Sequence, residues 1–144
     1  VVENGAIAAV PTQLKGTEIN ISKNPDLLPA ICVMATFARG ESIITGIDCD
    51  KERAANIANQ LNSIGATIIE QPNRLVIEGS DSISGGTAQT CNDHRIAMAL
   101  AIASTCCNSL VSVEDSEAVN KSYPTFWEHF KSIGGITEEW IMNK

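Results

Sequence analysis

The sequence predicts an α/β (α+β) fold of layered β-α-β-α-β-β repeats whose helices are largely buried. Three observations predict it. Short β-branched runs with a period of two alternate along the chain with longer apolar runs at helical spacing. Two of those helical runs, residues 27–37 and 96–103, are apolar nearly all round, where a surface helix keeps a charged stripe. The order helix, strand, helix of residues 26–64 returns weakly after residue 92.

Residues 18–22 (EINIS) alternate polar and apolar side chains and read as a short strand. Pro25-Asp26 opens the apolar stretch LLPAICVMATFA. Pro29 fits a helix there only within the first turn, where its missing amide has no bond to lose, and Gly40 stops the run. Residues 42–47 (SIITGI) read as a strand ending in a turn. Asp48 is placed to cap a second helix carrying Ala54, Ile57, Ala58, Leu61 and Ile64 at spacings of three and four, with Gly65 as its stop. Residues 67–70 and 75–78 flank Gln71-Pro72-Asn73-Arg74 and read as a hairpin, which completes one full unit over residues 18–78. Residues 79–90 (GSDSISGGTAQT) are polar with a glycine pair and read as a linker loop. A partial second unit follows over residues 91–144, with a helix over 93–104, a strand over 110–113 and a helix over 124–133.

The 144 residues suffice for one compact domain, or two small ones sharing a core. With 44% hydrophobic and 19% charged residues the composition excludes a disordered chain. A formal charge of -7 disfavours non-specific nucleic-acid binding, so any anion site must be a local focus of Arg and Lys. No apolar run reaches the roughly 18 residues of a membrane helix, and the first ten residues lack a signal-peptide pattern, so neither membrane nor nucleic acid is an expected partner and the chain reads as cytoplasmic. The five cysteines are an odd number without Cys-x-x-Cys spacing and read as core thiols. Neither His94 nor His129 has metal-ligand spacing to a cysteine, so no metal centre is expected.

The densest polar cluster is Asn92-Asp93-His94-Arg95, set directly before IAMALAIAS. There Arg95 falls in a first helical turn, where free amides and the helix dipole favour anions, and its planar fork suits a carboxylate or phosphate. The plainer alternative makes Asp93 an N-cap and Arg95 a solvated surface residue. Asp26, at a helix start after Pro25, is likewise either a cap or a chemical group. Lys121, before Ser122-Tyr123-Pro124, faces either solvent or an anion at a helix start. Lys51, Glu52 and Arg53 open the second helix and on their own read as an exposed charged face. Coincidence raises all of these residues together, since four helix starts each carry an ionisable group and such starts can converge on one cleft.

The string DHRIAMALAIAS, residues 93–104, resembles the signature of the 5-enolpyruvylshikimate-3-phosphate (EPSP) synthase family. Three further strings resemble family segments in family order: NPDLLPAICVMATFARGES (24–42), ANQLNSIGATI (58–68) and NKSYPTFWEHF (120–130). The resemblance implies part of an enolpyruvyl transferase-like domain, corresponding to the C-terminal part of an enzyme with two globular domains and a cleft between them. It implies as partners phosphoenolpyruvate, shikimate 3-phosphate and the N-terminal domain, which carries most of the shikimate-phosphate site, so the chain alone is expected to be inactive. No metal or organic cofactor is implied.

The implied reaction moves the enolpyruvyl group of phosphoenolpyruvate onto the 5-hydroxyl of shikimate 3-phosphate by addition and elimination, releasing phosphate. Such chemistry needs a base for the hydroxyl, a proton donor for the methylene carbon and fixed cations around two anions. By resemblance, Asp26 matches the aspartate beside the attacking hydroxyl, Arg53 and Arg95 match arginines that grip phosphoenolpyruvate, His94 belongs to the same substrate-binding motif, and Lys121 matches a late lysine near the phosphate. The family's Lys-Glu-x-Asp-Arg run is altered here to Cys49-Asp50-Lys51-Glu52-Arg53. Gapless alignment back from Gly65 puts Asp50 at the proton-transfer glutamate; a shortened loop instead gives Lys51 and Glu52 the lysine and glutamate roles. This altered segment also motivates a second reading, a non-catalytic anion-binding or regulatory module descended from the enzyme.

Overall fold

A computed structural model describes residues 2–3, 5–7 and 10–139. Two short strands, β1 (Val2–Glu3) and β2 (Ala6–Ile7), pair antiparallel at the start of the chain. The first large unit then runs β3 (Glu18–Asn20), α1 (Leu28–Thr36), β4 (Glu41–Thr45), α2 (Lys51–Ser63), β5 (Thr67–Gln71) and β6 (Arg74–Glu78). Its sheet has the order β3-β4-β6-β5, with β3 parallel to β4 and the other neighbours antiparallel. Register puts Ile44 opposite Leu75 and Ile68 opposite Ile77, so the period of two presents one apolar face to the helices.

After β6 the chain forms β7 (Gly86–Gln89), α3 (His94–Ser104), β8 (Val111–Glu114), a 3₁₀ turn over Ser116–Lys121 and α4 (Phe126–Ser132). The strand β7 corrects the reading of residues 79–90 as a linker loop. Gly-Thr-Ala-Gln has weak strand propensity, and its extended form is fixed by parallel pairing with β8 some twenty-five residues later, a contact that no local pattern reveals.

Helices α1, α2 and α3 pack on one another, and the main core joins Leu28, Cys32, Ile57, Leu61, Ile96 and Leu100 to the sheet face. The opposite side of α3 buries Ala97 and Ala101 against Val119, Phe126 and Phe130, which seats α4 and the 3₁₀ turn. Burial of α1 and α3 is extensive, as their all-round apolarity predicts, although Met34 and Ile102 remain exposed. The expectation of core thiols holds only for Cys32. Cys91 and Cys107 are half-buried, and Cys49 and Cys106 are exposed. Among the described residues no helix is long and apolar enough to cross a membrane.

Candidate functional site

Parallel pairing decides where the polar groups meet. Because β3 and β4 run in the same direction, the segments leaving their carboxyl ends lie side by side, and β7 with β8 repeats the arrangement. The chain leaves β3 into a 3₁₀ turn over Pro25–Leu27 that carries Asp26, and leaves β4 through Gly46 into a second turn over Ile47–Cys49. Gly46 has φ +77, and a Cβ there would stand 2.7 Å from Asn20 Oδ1 and 2.8 Å from the Ser22 amide nitrogen. The position therefore needs glycine twice over, for its left-handed backbone and for its close approach to the end of β3.

The cap of α2 is Asp50, which accepts the Arg53 amide at 3.1 Å. This corrects the assignment of the cap to Asp48, which pairs with Lys51 Nζ at 3.1 Å from within the preceding turn. At α3, Asp93 is the N-cap, accepting the Arg95 amide at 2.8 Å. The two residues before it, Cys91 and Asn92, both have positive φ, a conformation unfavourable for Cys. Hydrogen bonds to distant segments and within the turn hold the loop. Thr90 Oγ1 donates to the Asp115 carbonyl, the Asp93 amide donates to the Thr90 carbonyl, and Lys121 Nζ donates to the Asn92 carbonyl at 2.6 Å. Lys121 thus closes a 3₁₀ turn, which corrects its reading as a residue just ahead of a helix start; α4 begins five residues later, at Phe126.

These segments enclose a cavity of about 340 Å³ lined by Asp50, Glu52, Arg53, His94, Arg95 and Lys121, together with Asn56, Cys91, Asn92 and Asp93. A second cavity of about 300 Å³ shares Asn92 and Lys121 with it and is bordered by Asp115 and Glu117. Arg53 is the centre of the first. Its Nε donates to Asp93 Oδ2 at 2.7 Å, and its Nη1 lies 2.5 Å from Asp50 Oδ2 and 3.6 Å from Asp26 Oδ1. Arg95 Nη2 reaches the other Asp26 oxygen at 3.1 Å.

Burial works against the ionised form of Asp93, but the hydrogen bonds from Arg53 and from the Arg95 amide, with the Arg53 charge, outweigh it and hold its carboxyl below the usual range. Burial likewise opposes the charge on Arg53, and its hydrogen bond to Asp93 with the charges of Asp93, Asp50 and Asp26 raises it further into the ionised regime. The cavity thus brings the cations Arg53, Arg95 and Lys121 together with the carboxylates of Asp50, Glu52 and Asp93 on a chain of net charge -7.

Of the residues singled out by sequence, Asp50, Glu52, Arg53, His94, Arg95 and Lys121 line the cavity, and Asp26 is tied to it through both arginines. Lys51 is not among the lining residues and is engaged with Asp48. Sequence reasoning missed Asn56, which follows Arg53 by one helical turn and could have been found by that spacing. It also missed the bond between Asp93 and Arg53, which carries no local signal.

A family model described as EPSP synthase (3-phosphoshikimate 1-carboxyvinyltransferase) matches residues 1–130. The chain belongs to the EPSP synthase family. It is similar to a 3-phosphoshikimate 1-carboxyvinyltransferase of Clostridium kluyveri, with 37% identity across 99% of this chain and 34% of the relative. A second, from Clostridium novyi, is 42% identical across 90% of this chain and 31% of the relative. Among solved structures, an EPSP synthase from Acinetobacter baumannii superposes with a TM-score of 0.76 at 26% identity, covering 90% of this chain and 32% of that one. The chain therefore spans about a third of the length of the EPSP synthases it matches.

Proposed function

We propose that this chain is the C-terminal part of an enzyme that transfers the enolpyruvyl group of phosphoenolpyruvate to the 5-hydroxyl of shikimate 3-phosphate, releasing phosphate. The observation that carries the reading is the meeting of Arg53, Arg95 and Lys121, from three distant stretches of sequence, at one cavity. Phosphoenolpyruvate presents a planar carboxylate and a phosphate, which suit two guanidinium forks and one ammonium point charge. Asp26, held between the two arginines, is the base for the attacking hydroxyl. Glu52 is the better proton-transfer carboxylate. Asp50 spends one oxygen on the Arg53 amide and the other on its guanidinium, whereas Glu52 lines the cavity with no bonding partner among the described residues. His94 adds a further polar group to the same wall.

In this reading residues 18–78 are one full unit of a larger domain, the second unit begins at β7, and the N-terminal domain of the complete protein supplies the rest of the shikimate 3-phosphate site. The setting it implies is the cytoplasm. The test is phosphate release from the two substrates, assayed with the complete protein and with the 144-residue chain. Release is expected from the complete protein and not from the chain. Turnover by the chain alone at about 1 per second or faster overturns the division of the site. A complete protein that binds phosphoenolpyruvate and releases no phosphate is the non-catalytic module instead.

A further inference from the structure

The carboxylates around Arg53 are not held alike. Asp93 and Asp50 each use one oxygen on a backbone amide and the other on Arg53, and their side chains are only 17% and 28% exposed. Asp26 is 63% exposed and, among the described residues, caps no amide and is held only by Arg53 Nη1 at 3.6 Å and Arg95 Nη2 at 3.1 Å. Such open pairs are weak individually, while the amide-anchored pairs are fixed with the helix starts. Asp26 also bridges the two guanidinium groups with one oxygen on each, as a substrate carboxylate or phosphate would.

We propose that Asp26 is an internal stand-in for the substrate anion, and that a phosphate- or carboxylate-bearing ligand binds by exchanging with it on Arg53 and Arg95. Asp93 and Asp50 stay in place during the exchange and keep Arg53 aimed. The inference rests on the anion-holding role proposed above for the two arginines, and it adds an order of events. Loading of the anion releases the Asp26 oxygens, so the group proposed as base becomes free to accept a proton only once phosphoenolpyruvate is bound.

The experiment is titration of the 144-residue chain with phosphoenolpyruvate, and separately with inorganic phosphate, followed by the side-chain N–H signals of Arg53 and Arg95. Asp26→Asn, with Asp26→Ser as a second variant, is compared with Asp48→Asn, which removes the same charge from a side chain outside the cavity wall, paired with Lys51. Melting curves check that each protein is folded. The exchange predicts that both Asp26 variants bind either anion about three- to tenfold more tightly, with less than about twofold gain for Asp48→Asn. Equal gains from Asp26 and Asp48 variants overturn the exchange in favour of general charge repulsion, and no gain at Asp26 overturns it outright. Either result leaves the anion site standing. Failure of both anions to shift the arginine signals in any of the proteins overturns the anion site and the exchange together.

Discussion

Arg53 and Asp93 lie forty residues apart in sequence and are joined by a hydrogen bond of 2.7 Å from Nε to Oδ2, with both side chains less than one-fifth exposed. The contact ties the start of α2 to the start of α3. Because Asp93 also caps α3 through the Arg95 amide, one carboxylate sets the position of both arginines.

The variant Asp93→Asn therefore separates bracing from charge. Removing a negative charge beside the proposed anion site should tighten anion binding if charge alone mattered. Loss of the brace predicts the opposite, a weakening of phosphoenolpyruvate binding by about tenfold, measured by titration. The chain should also lose about 1.5–3 kcal/mol of stability, the range for a hydrogen bond to a charged group, while the asparagine retains the cap.

Asp93 also fixes the direction of an acid effect. Its carboxyl is held below the usual range in the folded chain, so its contribution to stability is complete above the ordinary aspartate range, about pH 4, and is lost as pH falls through the lower folded value. Melting temperature measured against pH should fall more steeply on the acid side for the parent chain than for Asp93→Asn. Parallel curves would show that the pair contributes nothing to acid stability.

Lys121→Met keeps the length of the side chain and removes its ammonium group. It should weaken phosphate binding by about tenfold and loosen the loop held through the Asn92 carbonyl. Hydrogen exchange at the amides of Cys91, Asn92 and Asp93 reads the second effect. Unchanged exchange with weakened binding would confine Lys121 to the ligand.

In the complete protein, Asp26→Asn should tighten phosphoenolpyruvate binding yet reduce kcat by roughly a hundredfold to ten-thousandfold, because the amide cannot act as a base. Steady-state kinetics give both numbers. Unimpaired turnover in Asp26→Asn removes the residue from the chemistry.

Gly46→Ala tests how the site is positioned. A Cβ there meets Asn20 and Ser22 and the backbone is left-handed, so the substitution should cost at least about 1–2 kcal/mol in a denaturant melt. The same variant should weaken anion binding, since Gly46 sets the turn that delivers Asp50 and Arg53.

The sequence by itself determined the elements whose patterns are local and the chemical types gathered at the helix starts. Pro29 within the first turn of α1, the apolar spacing of Ala54, Ile57 and Leu61 along α2, and the β-branched runs of β4 and β6 each follow from periodicity and backbone chemistry over a few residues. The Asp-His-Arg string and Lys121 stood out in the sequence as ionisable groups near helix starts, and the family resemblance is what singled them out together. Only the tertiary structure decided that Gly86–Gln89 is a strand, that Asp50 rather than Asp48 caps α2, and that Lys121 reaches across to Asn92. It alone joined Arg53 to Asp93 and Asp26, and turned Lys51 away to Asp48. The physical reason is range. Helical and strand patterns are set by neighbours along the chain, whereas parallel strand pairing and ion pairs depend on which distant segments the buried apolar faces bring together.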